Sequence, residues 1–502
     1  MKSGLAGLIA AHSSAISATR PSQPTNGSLV HNFIDIRALT GGDGDISDAL
    51  RRAKEMGKSA WIDAGSYSVV GRFAQDDMTI WAAPDATIEA AGNDSVVFVS
   101  QGALNRLPQL ARDIGKGGTQ LSFVNTHGLA AGDWIIVYDP ADFSWHASRP
   151  YYRAGEWCKI ASASARGVTL EAPLRDDYAR SKVDLYRAVL RRPVLRGGIW
   201  LCGHRELVRY TACTGGLIDV DRVEGASNTV IHIDRCVDAD IQCRTGHNTG
   251  AGLDDYLISI GNSQSVRVTG DRLYSRRHPV AIGGGDLICG VPCRDCTIDG
   301  LVLENDPNTN VMCADIHGNA EDCSYVRCVI FGGISLGGAS PAFRHCKIYA
   351  RSDGTAAEAT ELKGGAIDLT GLEITTDATN VGGGRGVIDI GTQNSAFNGA
   401  TSRDLTLSLS RFKINAPRLA QDEAIIRIRN AGSQALLNVH ISKGRLLLGQ
   451  PVQLLRTELA SGKDRSNFIK ITDVSGLPRL SRLHFAVSGA YGKSTRELQR
   501  PL

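Results

Sequence analysis

Short runs in which apolar and polar residues alternate recur along most of the chain, separated by turns rich in Gly, Asn and Asp. Examples are Thr229-Val-Ile-His-Ile-Asp234, Tyr256-Leu-Ile-Ser-Ile260, Val266-Arg-Val-Thr269, Gly365-Ala-Ile-Asp-Leu369, Gly386-Val-Ile-Asp-Ile390 and Ala424-Ile-Ile-Arg-Ile-Arg429. A period of two predicts strands with one buried face. Between Gly215 and Arg429 no amphipathic segment of helix length intervenes, which argues against a βαβ barrel or a doubly wound sheet. The pattern predicts an all-β chain, a right-handed parallel β-helix whose coils each bury an apolar face on the next. Coils stack at about 4.8 Å, so residues from successive coils are close enough to form one site.

The front of the chain departs from this rhythm. Phe33-Ile-Asp-Ile-Arg-Ala-Leu-Thr-Gly-Gly-Asp-Gly-Asp-Ile-Ser-Asp-Ala-Leu-Arg-Arg-Ala53 reads as a strand, a Gly/Asp turn and then a helix with Ser47 or Asp45 as N-cap. Lys58-Ser-Ala-Trp-Ile-Asp-Ala-Gly-Ser-Tyr67 follows as a strand running into a Gly turn. Residues 103–200 interrupt the coils. Gly132-Asp-Trp-Ile-Ile-Val-Tyr138 reads as a strand, and large aromatics crowd the stretch from Trp145 to Trp157. The expected organisation is an N-terminal arm over 1–32, a capped start over 33–102, a small β-rich insertion over 103–200, the main β-helix over 201–430, and C-terminal coils with a cap over 431–502.

Composition narrows the class. The chain has 502 residues with 56 glycines and only 6% aromatics, which suits many short strands and tight turns. Its 55 Lys/Arg against 52 Asp/Glu leave no basic excess or basic run, so a nucleic-acid partner is not expected. No apolar run is long enough to cross a bilayer. Met1–Ala11 has one cation and a short apolar run diluted by His12, which favours a short helix tethered by Ser22–Ser28 over a secretory signal. Cys296, Cys328 and Cys346 each precede an isoleucine by two positions, as small core residues of a repeated coil do. Cys289, Cys293 and Cys296 lack the second Cys/His pair that a zinc finger needs. No metal or other cofactor is expected.

The helix-then-strand opening, with its Asp-Ala-Gly-Ser-Tyr turn, resembles the start of pectate-lyase-superfamily β-helices, above all bacteriophage tailspike depolymerases. There a helix covers the first coil, which would otherwise be an open strand edge. The insertion is similar to small β-rich domains of the same proteins. This resemblance implies a homotrimer of parallel chains, attachment to the phage tail or baseplate through the N-terminus, a place on the virion, and a bacterial surface polysaccharide as substrate.

Two segments carry candidate chemistry, Arg276-Arg-His-Pro-Val-Ala-Ile-Gly-Gly284 and Cys313-Ala-Asp-Ile-His-Gly-Asn-Ala-Glu-Asp322. If Ala314 and Ile316 are buried, Asp315 and His317 both project from the opposite face. Val280 and Ile282 facing inward put Arg277 outward, while Pro279 leaves the phase of His278 open. The spacing corresponds to one long coil or two short ones. In a lyase acting on a uronic acid, Arg277 is the clamp on the carboxylate, His317 the base and Asp315 the group that orients its ring, with His278 nearby. An Asp-x-His on such a flank also resembles alginate C5-epimerases, but Met312 stands where they have Tyr and Gly318 follows the His. A hydrolase would pair Asp315 with Glu321, Asp322, Glu304 or Asp306. Tyr151, Tyr152 and Trp157 are candidates for stacking on sugars, with Glu156, Glu321 and Asp322 as polar contacts. A glycan-binding adhesin without catalysis is the remaining alternative.

Overall fold

The alternating runs stack as parallel coils in a computed structural model of the chain, which describes residues 32–41, 44–141, 152–250, 255–285, 289–309, 311–359, 362–382, 385–391, 404–430, 437–459, 468–476 and 496–498. Each coil gives one strand to a 12-stranded parallel sheet and up to three to a 27-stranded sheet. One coil contributes Tyr256–Gly261 and Gln264–Ser275; a later one contributes Ala314–Ile316, Ala320–Glu321, Ser324–Val326 and Val329–Phe331. The all-β, parallel β-helical architecture expected from the alternation is what forms.

Alternation is broken at one place in nearly every coil. Val97–Phe98, Val230–Ile231, Leu257–Ile258, Cys313–Ala314, Val387–Ile388 and Ile425–Ile426 are consecutive pairs with both members in the core. The chain turns a corner there, and the phase of the strand shifts by one residue. Other corners use single left-handed residues stacked from coil to coil. Asp295, Asp322 and Ser340 have φ near +54°, and Gly365 continues the column at +84°. Arg327, His345 and Arg411 form a second such column that includes Gly371. A non-glycine residue costs about 1–2 kcal/mol in this conformation. The interior compensates, since fully burying one Val, Leu or Ile contributes about 1.5–3 kcal/mol.

All twelve cysteines are buried free thiols. Cys296 stacks on Cys323, next to the Thr297–Ser324 pair, and Cys328 on Cys346, next to Val329–Lys347. The three residues with a shared local frame thus lie in two core columns.

The helix Ser47–Glu55 covers the first coil with Ala49, Leu50 and Ala53. Its first turn is satisfied by Asp45, whose carboxylate accepts from the Ser47 amide at 2.9 Å and hydroxyl at 2.6 Å. The strand read from Phe33 is shorter than its sequence suggested: it ends at Asp35, which caps a one-turn helix over Ile36–Thr40.

The insertion is a six-stranded antiparallel sheet running from Ala103 to Val189. The strands Val194–Arg196 and Ile199–Leu201 already pair with coil strands, so the β-helix resumes before residue 200. One face of the insertion holds its own core around Ile135, Val137, Ile160 and Leu185. The other face docks Ile136, Tyr138 and Trp157 on Val237, Cys289 and Val291 of the β-helix. Beyond residue 430, Leu437–Leu448, Gln453–Leu459 and Phe468–Ser475 continue the coils in register.

Candidate active site

The 12-stranded sheet brings the two candidate segments onto adjacent coils. Ala281 pairs with Asp315 and Ile282 with Ile316, so one coil separates them. Ala314 and Ile316 point into the core, and Asp315 and His317 share the opposite face. His278 joins them because the corner shift resets its phase. It pairs with Tyr256, and Val280 pairs with Ile258, so Pro279 takes the position of the inward Leu257.

The carboxylate of Asp315 is the hub. His317 Nε2 lies 2.6 Å from Asp315 Oδ2, and His278 Nε2 lies 3.5 Å from the same oxygen. Asp315 and His278 are almost fully buried, whereas the His317 side chain keeps 20% of its surface exposed. Burial pushes the Asp315 carboxyl up, but charge interaction with His317 and His278, together with hydrogen bonds from His317 and Ser335, outweighs it and holds the group below the usual carboxylate range. Burial pushes the His278 imidazole down to about 4, against the pull of Asp315. Its Nδ1 is 2.7 Å from the Met312 carbonyl. A carbonyl only accepts, so Nδ1 carries the proton.

Tyr256 and Arg277 complete the constellation. The Tyr256 ring stacks on His278 at 5.5 Å and meets His317 edge-on at 6.4 Å. The Arg277 guanidinium sits 5.7 Å from the centre of that ring, with one nitrogen 3.5 Å from the phenol oxygen. Arg277, His278, Asp315 and His317 are legible in the sequence, whereas Tyr256, at the head of a strand, carries no chemical signal there. The coils preceding the site present small residues. Ser259 and Ala281 lie in register with Asp315, and Gly261 and Gly283 precede His317 in the neighbouring column. A Cβ on Gly283 would be 2.7 Å from His317 Cβ, so glycine there is what lets the imidazole lie over the backbone.

The residues expected to bind sugar are placed elsewhere. Tyr151 lies outside the described residues. Tyr152 and Trp157 are 2% and 3% exposed and offer no ring face to a sugar, a correction to their expected stacking role. The Trp157 indole donates to the Asn262 carbonyl at 2.9 Å, fastening the insertion to the β-helix. Glu156 and Glu321, also expected to touch substrate, are buried in a charge network. Arg294, 1% exposed, is held by Glu321 at 2.8 Å, Asp176 at 2.9 Å and Glu156 at 3.5 Å, and Lys363 reaches Glu321 at 2.8 Å. Tyr178 donates to Glu156 at 2.8 Å. Burial pushes the Glu156 carboxyl up from its ordinary range, against the pull of Arg294. Asp322 is half exposed and pairs with Arg175 of the insertion at 2.7 Å. Periodicity could not show this, because the polar face of these strands is covered by a second domain. The carboxylates considered as partners for Asp315 are likewise engaged elsewhere: Glu321 and Asp322 as above, Glu304 with Arg272 at 2.6 Å, and Asp306 capping its own turn through the Asn308 amide.

Known proteins agree with this architecture. Residues 224–476 match the family model described as Gp49, pectin lyase-like, and residues 99–188 match that of a tailspike protein-like, Ig-like domain. The tailspike protein gp49 from Pseudomonas phage LKA1 superposes with a TM-score of 0.80 at 29% identity, over 89% of this chain and 76% of that one. The tailspike gp61 of Pseudomonas phage phi297 gives 0.74 at 26% identity, over 86% and 73%. The Gp54 tailspike of Acinetobacter baumannii bacteriophage AP22, solved in complex with A. baumannii capsular saccharide, gives 0.74 at 22% identity, over 92% and 80%, a likeness of fold. No match was found among curated proteins.

Proposed function

Because the chain belongs to the Gp49, pectin lyase-like family, we propose that it is a phage tailspike enzyme that binds and depolymerises a bacterial surface polysaccharide by β-elimination at a uronic acid. The observation that carries this reading is the Asp315–His317 contact at 2.6 Å, set beside Arg277 and Tyr256 on a surface cleared by glycines. Asp315 accepts the Nε2 proton of His317, which leaves the lone pair on Nδ1 as the base. Arg277 neutralises the uronate carboxylate and makes the neighbouring carbon acidic; His317 Nδ1 removes that proton. Tyr256, its hydroxyl next to Arg277, returns a proton to the leaving glycosidic oxygen. His278, neutral and wedged between Tyr256 and Asp315, keeps the two in place. In this reading the protein acts as a trimer of parallel chains outside the host cell, with residues 1–32 as the tether to the virion.

A specific observation favours a hydrolase as the second reading. Asp315, Ser335, Glu358 and Asp389 follow one another in register on four coils. Glu358 and Asp389 are therefore about one coil spacing, ~4.8 Å, apart at their Cα atoms; Glu358 is held by Arg385 at 3.2 Å and Asp389 is fully buried, so Asp389 would have to be uncovered for the two to act as the carboxyl pair of a retaining glycosidase. One experiment separates the readings. Acidic capsular and O-antigen polysaccharides are incubated with the protein while ultraviolet absorbance and reducing ends are followed together. Elimination raises both, because the product is a conjugated unsaturated uronate. New reducing ends without absorbance sink the lyase reading in favour of the hydrolase, and binding without either product leaves an adhesin.

A further inference from the structure

Among the described residues one trio has the composition and closeness of a metal site, and it lies within the constellation just described. One ligand atom each from His278, Asp315 and His317 falls within 4.8 Å of the other two. A tetrahedral zinc ion, with ligands at about 2.0–2.2 Å, sets its donor atoms roughly 3.2–3.6 Å apart; His278 and Asp315 already have that spacing at 3.5 Å, and the His317–Asp315 pair would open from 2.6 Å to admit the ion. We propose that His278 Nε2, Asp315 and His317 Nε2 bind a divalent transition-metal ion of the zinc class.

The orientation of His278 is the independent argument. Its Nδ1–H is committed to the Met312 carbonyl at 2.7 Å, so in the neutral ring Nε2 presents a lone pair, and it presents it to the Asp315 carboxylate at 3.5 Å. Two acceptors facing each other in a nearly sealed space repel unless a cation lies between them. A backbone carbonyl that fixes the distal nitrogen while the other faces the ion is the usual support of a metal-binding histidine. Two imidazoles and one carboxylate suit zinc, cobalt, manganese or iron and are poorly matched to calcium or magnesium, which prefer oxygen alone. The partly exposed side of His317 is the way in for an ion.

The consequence for catalysis rests on the function proposed above. In the metal-free site His317 Nε2 carries the proton and Nδ1 the lone pair. Coordination takes the Nε2 lone pair, and the displaced proton moves through solvent to Nδ1. The ring stays neutral, but its Nδ1 becomes a donor, so the metal-loaded protein has lost its base and is the less active form.

The test uses the full-length protein after exhaustive chelation, titrated with Co2+ or Zn2+ alone. Calorimetry gives affinity and stoichiometry, and the visible absorption of low-coordinate Co2+ reports nitrogen and oxygen ligands. Wild type should bind one equivalent. His278→Ala and Asp315→Asn should each lose at least about tenfold in affinity. His317→Ala, the most exposed position, serves as the variant least prone to misfold, and zinc should raise the melting temperature of wild type but not of this variant. No binding by wild type, or equal binding by all three variants, overturns the proposal, the latter result moving the ion to the cysteines. None of these readouts uses a polysaccharide, so failure to bind metal and failure to cleave glycan are separate results.

Discussion

Asp315 Oδ2 and His317 Nε2 are 2.6 Å apart, with the carboxylate buried and the imidazole partly exposed. A buried acceptor thereby fixes the tautomer and direction of a ring that still reaches solvent. His317→Ala should lower turnover by about two to four orders of magnitude, as expected for loss of a general base, and leave glycan binding intact. The buried carboxylate loses one partner and keeps Ser335, so stability should fall by about 1–3 kcal/mol. Parallel assays of cleavage, glycan binding and thermal melting check this; wild-type turnover in the variant removes His317 from the mechanism.

Arg277→Ala should behave differently. A charge clamp contributes to both ground state and transition state, so both KM and kcat should suffer with an acidic polysaccharide. An unchanged KM would show that Arg277 does not touch the substrate carboxylate and only supports Tyr256.

Gly283 tests the geometry without altering any reacting group. A methyl there meets His317 Cβ at 2.7 Å and Cγ at 3.1 Å, and because Cβ is fixed to its backbone the coil must give slightly while the ring is displaced. Gly283→Ala should cut activity by more than tenfold with a moderate fall in melting temperature. Gly337→Ala is the contrast, because its Cβ would be 2.0 Å from the Ile316 carbonyl oxygen, which is backbone, and the coil itself must move. Its melting temperature should fall sharply.

The buried network at the insertion should respond to charge rather than to contact number. Arg294 and Lys363 face Glu156, Glu321 and Asp176, two cations against three carboxylates. Arg294→Met leaves buried carboxylates uncompensated and should cost about 3–5 kcal/mol. Glu156→Gln balances the charges and keeps an acceptor for Tyr178, so its cost should be much smaller. Chemical denaturation of the two variants measures the difference, and equal costs would show that hydrogen-bond geometry governs instead.

Cys296, Cys328 and Cys346 are at most 1% exposed. They should resist thiol reagents in the native protein and react together on unfolding. Rapid labelling of the native state would show that the coils open locally at these columns.

The sequence by itself determined the coil and one face of the site. Period-two alternation is a property of neighbouring residues, so the parallel β-helix and the shared face of Asp315 and His317 followed from Ala314 and Ile316 being apolar. Tertiary structure decided what lies opposite that face. Pairing of coils depends on the length of each coil and on where its corners shift phase, and neither is written in local periodicity. That is why alternation does not set the phase of His278, whose neighbour Pro279 sits at a corner, and why Tyr256 carries no signal. The same blindness misplaced Tyr152, Glu156, Trp157 and Glu321. Alternation says that one face of a strand is apolar, but whether the other meets solvent or a second domain depends on a docking surface assembled from residues more than a hundred positions apart, as Trp157 and Asn262 are.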